Sequence, residues 1–85
     1  MIVQIYAVKD ELAQRFKYPQ YFQSKEEALR DFKTNRTETT LWRTNPGDFS
    51  LYRLGEYNDE TGIYTSEIEL ICGGRSMIND YTKSV

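Results

Sequence analysis

Asn45-Pro46-Gly47-Asp48-Phe49-Ser50-Leu51-Tyr52-Arg53-Leu54-Gly55-Glu56-Tyr57-Asn58-Asp59-Glu60-Thr61-Gly62 reads as a turn, a strand, a second tight turn and the start of a returning strand. Pro46 fixes φ for the first turn, and the Asp48 carboxylate can hold nearby backbone amides before the chain extends. Asn58 to Gly62 suits a type I turn closed by a glycine at positive φ. The pattern predicts a hairpin with arms Phe49 to Tyr57 and Ile63 to Cys72. In the second arm, alternation places Ile68, Leu70 and Cys72 inward and Glu67 and Glu69 outward. Gly73-Gly74 ends the arm.

Outward from the hairpin, Ile2 to Val8 alternates as a strand, with Val3, Ile5 and Ala7 on one face. Lys9 to Lys17 is polar and reads as a loop or a bent hairpin connection. Tyr18 to Gln23, interrupted by Pro19, suits a short edge strand. Ser24 and Glu27 form a capping box that opens a helix from Lys25 to Lys33 or Asn35, with Ala28, Leu29 and Phe32 on one side. Thr34 to Thr44, rich in β-branched residues, reads as a loop in preference to an extra strand. The expected fold is α+β, an antiparallel sheet of three to four strands with one helix packed on a face. A partly open barrel of the oligonucleotide-binding kind is the alternative. Residues 1–74 form the domain in this reading, and 75–85 a flexible or swapped C-terminal tail.

Composition narrows the functional classes. The chain has 85 residues, of which 39% are hydrophobic, so its core is thin for an independent domain. Oligomerisation is one way to stabilise such a scaffold, and a homodimer or larger homo-oligomer is expected. No histidine is present, which removes the commonest general base and the commonest transition-metal ligand. One cysteine makes neither an intramolecular disulfide nor a zinc site, and the glycines lack phosphate-loop spacing. Asp10-Glu11, Glu26-Glu27 and Asp59-Glu60 are carboxylate pairs of the kind found solvated or capping. A non-enzyme without metal or cofactor follows. No apolar run is long enough to span a bilayer, and no charged-then-apolar leader opens the chain.

The net charge of −2 opposes nucleic-acid binding by charge alone. Its distribution is lopsided, however. Between Leu12 and Asn45, Arg15, Lys17, Lys25, Arg30, Lys33, Arg36 and Arg43 outnumber Glu26, Glu27, Asp31 and Glu38. From Leu54 onward, Arg75 and Lys83 face six carboxylates. Aromatic residues make up 14% of the chain, more than a thin core can bury. Phe16, Tyr18, Tyr21 and Trp42 lie among Arg15, Lys17, Lys33, Arg36 and Arg43. Single-strand binding uses this combination, with bases stacked on rings and cations tracking phosphates. These nine residues are the candidate site. The competing reading puts Tyr21, Phe22 and Phe32 in the core and Trp42 at a subunit interface. Tyr6, Tyr52 and Tyr57 read as packed strand tyrosines with hydroxyls at the rim.

The motif Asn-Pro-x-Asp-Phe-x-Leu-Tyr-x-Leu-Gly-Glu-Tyr-x-x-x-Thr-Gly resembles the small nonstructural protein of gokushovirus-type microviruses. Ile5-Tyr6-Ala7-Val8-Lys9-Asp10, then Pro19 with Tyr21-Phe22, and Ala28-Leu29-Arg30-Asp31-Phe32 are similar to further blocks of that family, in its order and spacing. Gly47 and Arg53 depart from it, standing where an acidic and an apolar residue are expected. The resemblance implies a phage nonstructural protein of the host bacterial cytoplasm. It would bind single-stranded DNA with little sequence preference and assist replication or packaging. The alternative is an adaptor that binds the replication initiator or procapsid and never contacts DNA, in keeping with the acidic second half.

Overall fold

Asp10 turns the chain in the segment that read as a loop or a bent hairpin connection, and the hairpin is the form it takes. The Asp10 Oδ1 accepts hydrogen bonds from the amides of Leu12 and Ala13 at 3.1 and 3.0 Å, an Asx-type turn, and Gln14 takes a left-handed φ of 56°. The first strand, β1 (Ile2–Asp10), is thereby folded back onto a two-residue strand, β2 (Arg15–Phe16). The computed structural model describes residues 1–38 and 46–73, with the side chains of 35–38 and 46 outside that description. Within it follow β3 (Gln20–Phe22), α1 (Lys25–Glu38), a 3-10 turn at Pro46–Asp48, β4 (Phe49–Asn58) and β5 (Tyr64–Gly73). The proposed tail at 75–85 lies outside the described residues.

All strand pairings are antiparallel. β1 pairs β4 along its length, β4 pairs β5, and β2 and β3 share the other side of β1. The expected α+β domain of three to four strands is therefore corrected to a sheet-rich fold with, among the described residues, five strands and one short helix. The strand beyond those expected is β2, formed where Arg15 and Phe16 pair back onto Asp10 and Lys9, while β3 falls within the edge strand read at Tyr18 to Gln23. The barrel alternative is corrected as well: closure needs the two outer strands to pair, and the order β2-β1-β4-β5 is open.

The helix begins where its cap sits. Ser24 Oγ accepts from the Glu27 amide at 3.2 Å, while Glu27 Oε2 accepts from the Gln23 amide at 3.0 Å. It runs past the expected end to Glu38, so residues 34–38 are helix and not loop. Within the helix, the Thr34 hydroxyl donates to the Arg30 carbonyl at 2.9 Å. Ala28 and Phe32, the latter 2% exposed, join Tyr6, Phe49 and Leu51 in the buried core. That core occupies one face of the sheet.

Three register shifts decide which side chains share a face, one between β1 and β4 at Ile5/Tyr6 and two between β4 and β5 at Leu51/Tyr52 and Arg53/Gly55. Leu54 is an extra residue in β4, between the pairs Tyr6–Arg53 and Ile5–Gly55. Ile71 is an extra residue in β5, between Leu51–Cys72 and Tyr52–Leu70. A bulge of one residue transfers everything beyond it to the other face. Cys72 therefore stays on the core side, whereas Ile68 and Leu70 are 63% and 56% exposed on the opposite face. The inward placement expected for Ile68 and Leu70 is overturned, and Glu67 and Glu69 fall on the helix side. At the second turn, Asn58 Oδ1 accepts from the amides of Glu60 and Thr61, and Gly62 closes it at φ 75°.

Candidate nucleic-acid interface

Residues paired across antiparallel strands point to the same side, so the registers assign two faces. The helix side carries Gln4, Tyr6 and Val8 of β1, Leu51, Arg53 and Glu56 of β4, and Glu67, Glu69 and Cys72 of β5. Beyond the helix it is polar. Arg53, its side chain 13% exposed, donates from Nε to Gln4 Oε1 at 2.6 Å and from Nη2 to Glu56 Oε1 at 3.1 Å, with Glu67 at 3.9 Å. The arginine that departs from the motif thus anchors an ion network where an apolar residue would meet carboxylates.

The opposite face has a different chemistry. It carries Val3, Ile5, Ala7 and Lys9 of β1, with Phe16 opposite Lys9, Tyr21 opposite Ile5, and Tyr52 opposite Ala7. Tyr57 and Tyr64 face each other across β4 and β5, and Leu70 and Ser66 continue the surface. None of the strand carboxylates of β4 and β5 lies on this side. No helix among the described residues covers it.

Its aromatic residues form two groups. Near the β1–β2 turn, Phe16 and Tyr52 meet edge to face with ring centroids 5.4 Å apart. The Lys9 ammonium stands 5.5 Å from the Phe16 centroid and 5.7 Å from that of Tyr52, within cation–π range. Glu11 reaches this corner too. Its Oε1 accepts the Tyr52 hydroxyl at 3.1 Å, and its Oε2 lies 3.8 Å from Lys9 Nζ. Burial and, after it, the bond to Glu11 push the Tyr52 phenol up. At the other end, Ile5, Pro19, Tyr21, Leu54, Tyr57 and Tyr64 line an open cavity of about 740 Å³. The Tyr64 hydroxyl donates to the Leu54 carbonyl at 2.9 Å, tying the second arm to the bulge.

A family model described as Phage ORF5 protein matches residues 3–77. The chain belongs to that family. No curated protein and no solved structure matches it.

In this member of the Phage ORF5 family, the nine residues expected from sequence do not form one site. Phe16 and Tyr21, the latter 70% exposed, lie on the open aromatic face. Arg15 pairs with Asp10 at the same corner but on the helix side. Lys17 Nζ stands 5.8 Å from the Phe49 ring, and Tyr18 lines a shallow cavity with Phe32 and Leu51, so both belong to the helix side or the edge. Lys33 is exposed on α1, away from the aromatic face. Arg36 lies in α1 with its side chain outside the described residues, as are Trp42 and Arg43 entirely. Lys9, Leu54, Tyr57 and Tyr64 were not among the candidates. Tyr52 and Tyr57, expected as packed strand tyrosines, are half-buried on the open face. The signal that marks them is Gly55 inside a strand pattern, which indicates a bulge and hence a change of face. Among the described residues, no group of His, Cys, Asp and Glu is arranged to hold a metal ion, and no helix is long and apolar enough to cross a membrane.

Proposed function

We propose that this phage protein binds single-stranded DNA on the open aromatic face, with little sequence preference. In this reading it is a non-enzymatic, nonstructural protein of a gokushovirus-type microvirus, assisting replication or packaging in the host bacterial cytoplasm. The observation that carries the proposal is the sidedness of the sheet. Carboxylates of β4 and β5 are gathered on the helix side, so a net-acidic chain presents a ring-bearing face free of them. Stacking tolerates any base, because every base has a π-face, and is worth about 1–3 kcal/mol per base. Lys9 supplies a phosphate contact on this face, and the long side chains of Arg15 and Lys17, at the adjoining edge on the helix side, meet phosphates that pass around it. With about three such contacts, the slope of log affinity against log salt is about −2.

The assembly is part of the same proposal. β5 ends the strand order among the described residues and offers a route to a homodimer or larger homo-oligomer. Light scattering on the full chain measures it, and a monomer at all concentrations removes that part.

Fluorescence anisotropy with a mixed-sequence single strand and the matching duplex tests the binding. The single strand is expected to bind at least about 10-fold tighter, since paired bases cannot reach the rings. Equal affinity for duplex, or no binding of either at low salt, overturns the proposal. The second outcome leaves the adaptor that contacts the replication initiator or procapsid.

A further inference from the structure

We infer that the open face is divided into two stations of different chemistry, and that the cavity between β3 and the β4–β5 hairpin receives an unstacked nucleobase without touching its phosphate. This rests on the single-strand reading and specifies how the strand is held. The cavity walls are Pro19 and Tyr21 on one side and Leu54, Tyr57 and Tyr64 on the other, with Ile5 below. None of these side chains is charged. At about 740 Å³ it lies in the range of small-molecule sites. Such a space accepts a flat, uncharged aromatic ring and leaves a phosphate in solvent.

The corner of Lys9, Phe16 and Tyr52 offers the complementary half, a cation beside two rings, with the Glu11 carboxylate 3.8 Å from the ammonium as the charge a phosphate would displace. Lys9 and Ile5 are four residues apart on β1, about 13 Å at the rise of an extended strand. A single DNA strand lying along β1 would meet both stations at once, its phosphates drawn to the basic corner. That charge complementarity selects a nucleic-acid strand over an apolar peptide, which would gain nothing from Lys9.

The test is an anisotropy titration with an octathymidylate at low and high salt. Absence of binding by the unaltered chain overturns the function and this inference together. With binding established, Tyr21→Ala is expected to weaken it about 10–100-fold, by the same factor at both salt concentrations. Lys9→Met is expected to flatten the salt slope by about 0.7. Tyr21 is mostly exposed on an edge strand, so the variant should fold; Pro19→Ala supplies a second change to the same wall, and circular dichroism checks both. If Tyr21→Ala leaves the affinity unchanged, or its loss vanishes at high salt, the cavity holds no base and the inference falls while the function stands. A dimer without DNA that Tyr21→Ala dissociates also overturns it, because a second copy then fills the cavity.

Discussion

Replacing Gly55 by alanine should be far more damaging than the same change at Gly62, although both have positive φ. At Gly55, with φ 151°, an added Cβ would stand 2.1 Å from the Thr65 carbonyl oxygen and 3.0 Å from its carbon. Restoring ordinary contact at 3.4 Å moves β5 away by about 1.3 Å. Backbone, not a flexible side chain, must give way. A displacement of that size breaks one or two ladder hydrogen bonds, about 1 kcal/mol each. The unfavourable φ adds about 1–3 kcal/mol. The total is about 2–5 kcal/mol, a large share of the stability of a domain this size, which is about 4–13 kcal/mol. At Gly62, φ is 75° and nothing lies within 4 Å, so the cost is the backbone preference alone, about 1–2 kcal/mol. Urea denaturation followed by far-ultraviolet circular dichroism measures both variants. In a thermal melt, Gly55→Ala is expected to lower the midpoint by about 8 °C or more. A Gly55→Ala variant within about 0.5 kcal/mol of Gly62→Ala would refute the close approach of β4 and β5 at the bulge.

Ser24→Ala removes the hydroxyl that caps α1 and should cost about 1 kcal/mol in the same denaturation assay; an unchanged midpoint would show the cap to be idle. Glu11→Gln frees Lys9 and removes a negative charge from the basic corner, so single-strand binding should tighten about 2–5-fold at low salt. The Tyr52 phenol, relieved of that carboxylate, should titrate closer to its ordinary value by ultraviolet absorbance. No change in either would separate Glu11 from the interface. Tyr6, 3% exposed, is held above the ordinary tyrosine value of 10.0 by burial, which outweighs the lowering by Arg53, with Glu26 and Glu69 adding to the rise. A raised folded value means that the folded state keeps the proton more tightly than the unfolded one. Stability is then intact below about pH 10 and falls as pH climbs through the raised value. Tyr6→Phe should reduce that alkaline decline relative to the unaltered chain; an identical decline in both would exclude Tyr6 as its source.

Local chemistry was legible where neighbouring residues alone determine the backbone. The Ser24 and Glu27 pair sets the start of α1, and the Asn58 side chain with Gly62 sets the hairpin turn, because each device satisfies amides within a few residues of itself. The abundance of aromatic rings and the absence of histidine were equally plain, and they pointed toward stacking and away from the usual acid–base and metal chemistry. The residues that share the open face were not legible. Their assignment depends on the extra residues Leu54 and Ile71, and a one-residue shift exchanges core for solvent along the rest of a strand. Ile68 and Leu70 alternate like core residues, and only the pairing with β4 turns them outward. The helix was more legible, since Ala28 and Phe32 share one side by spacing and do enter the core, although the residues they meet there, Tyr6 and Leu51, come from distant strands. Sequence by itself determined the caps, the turns and the chemical kinds of side chain available. Tertiary structure alone decided which rings stand together on the open face, because that placement depends on long-range register.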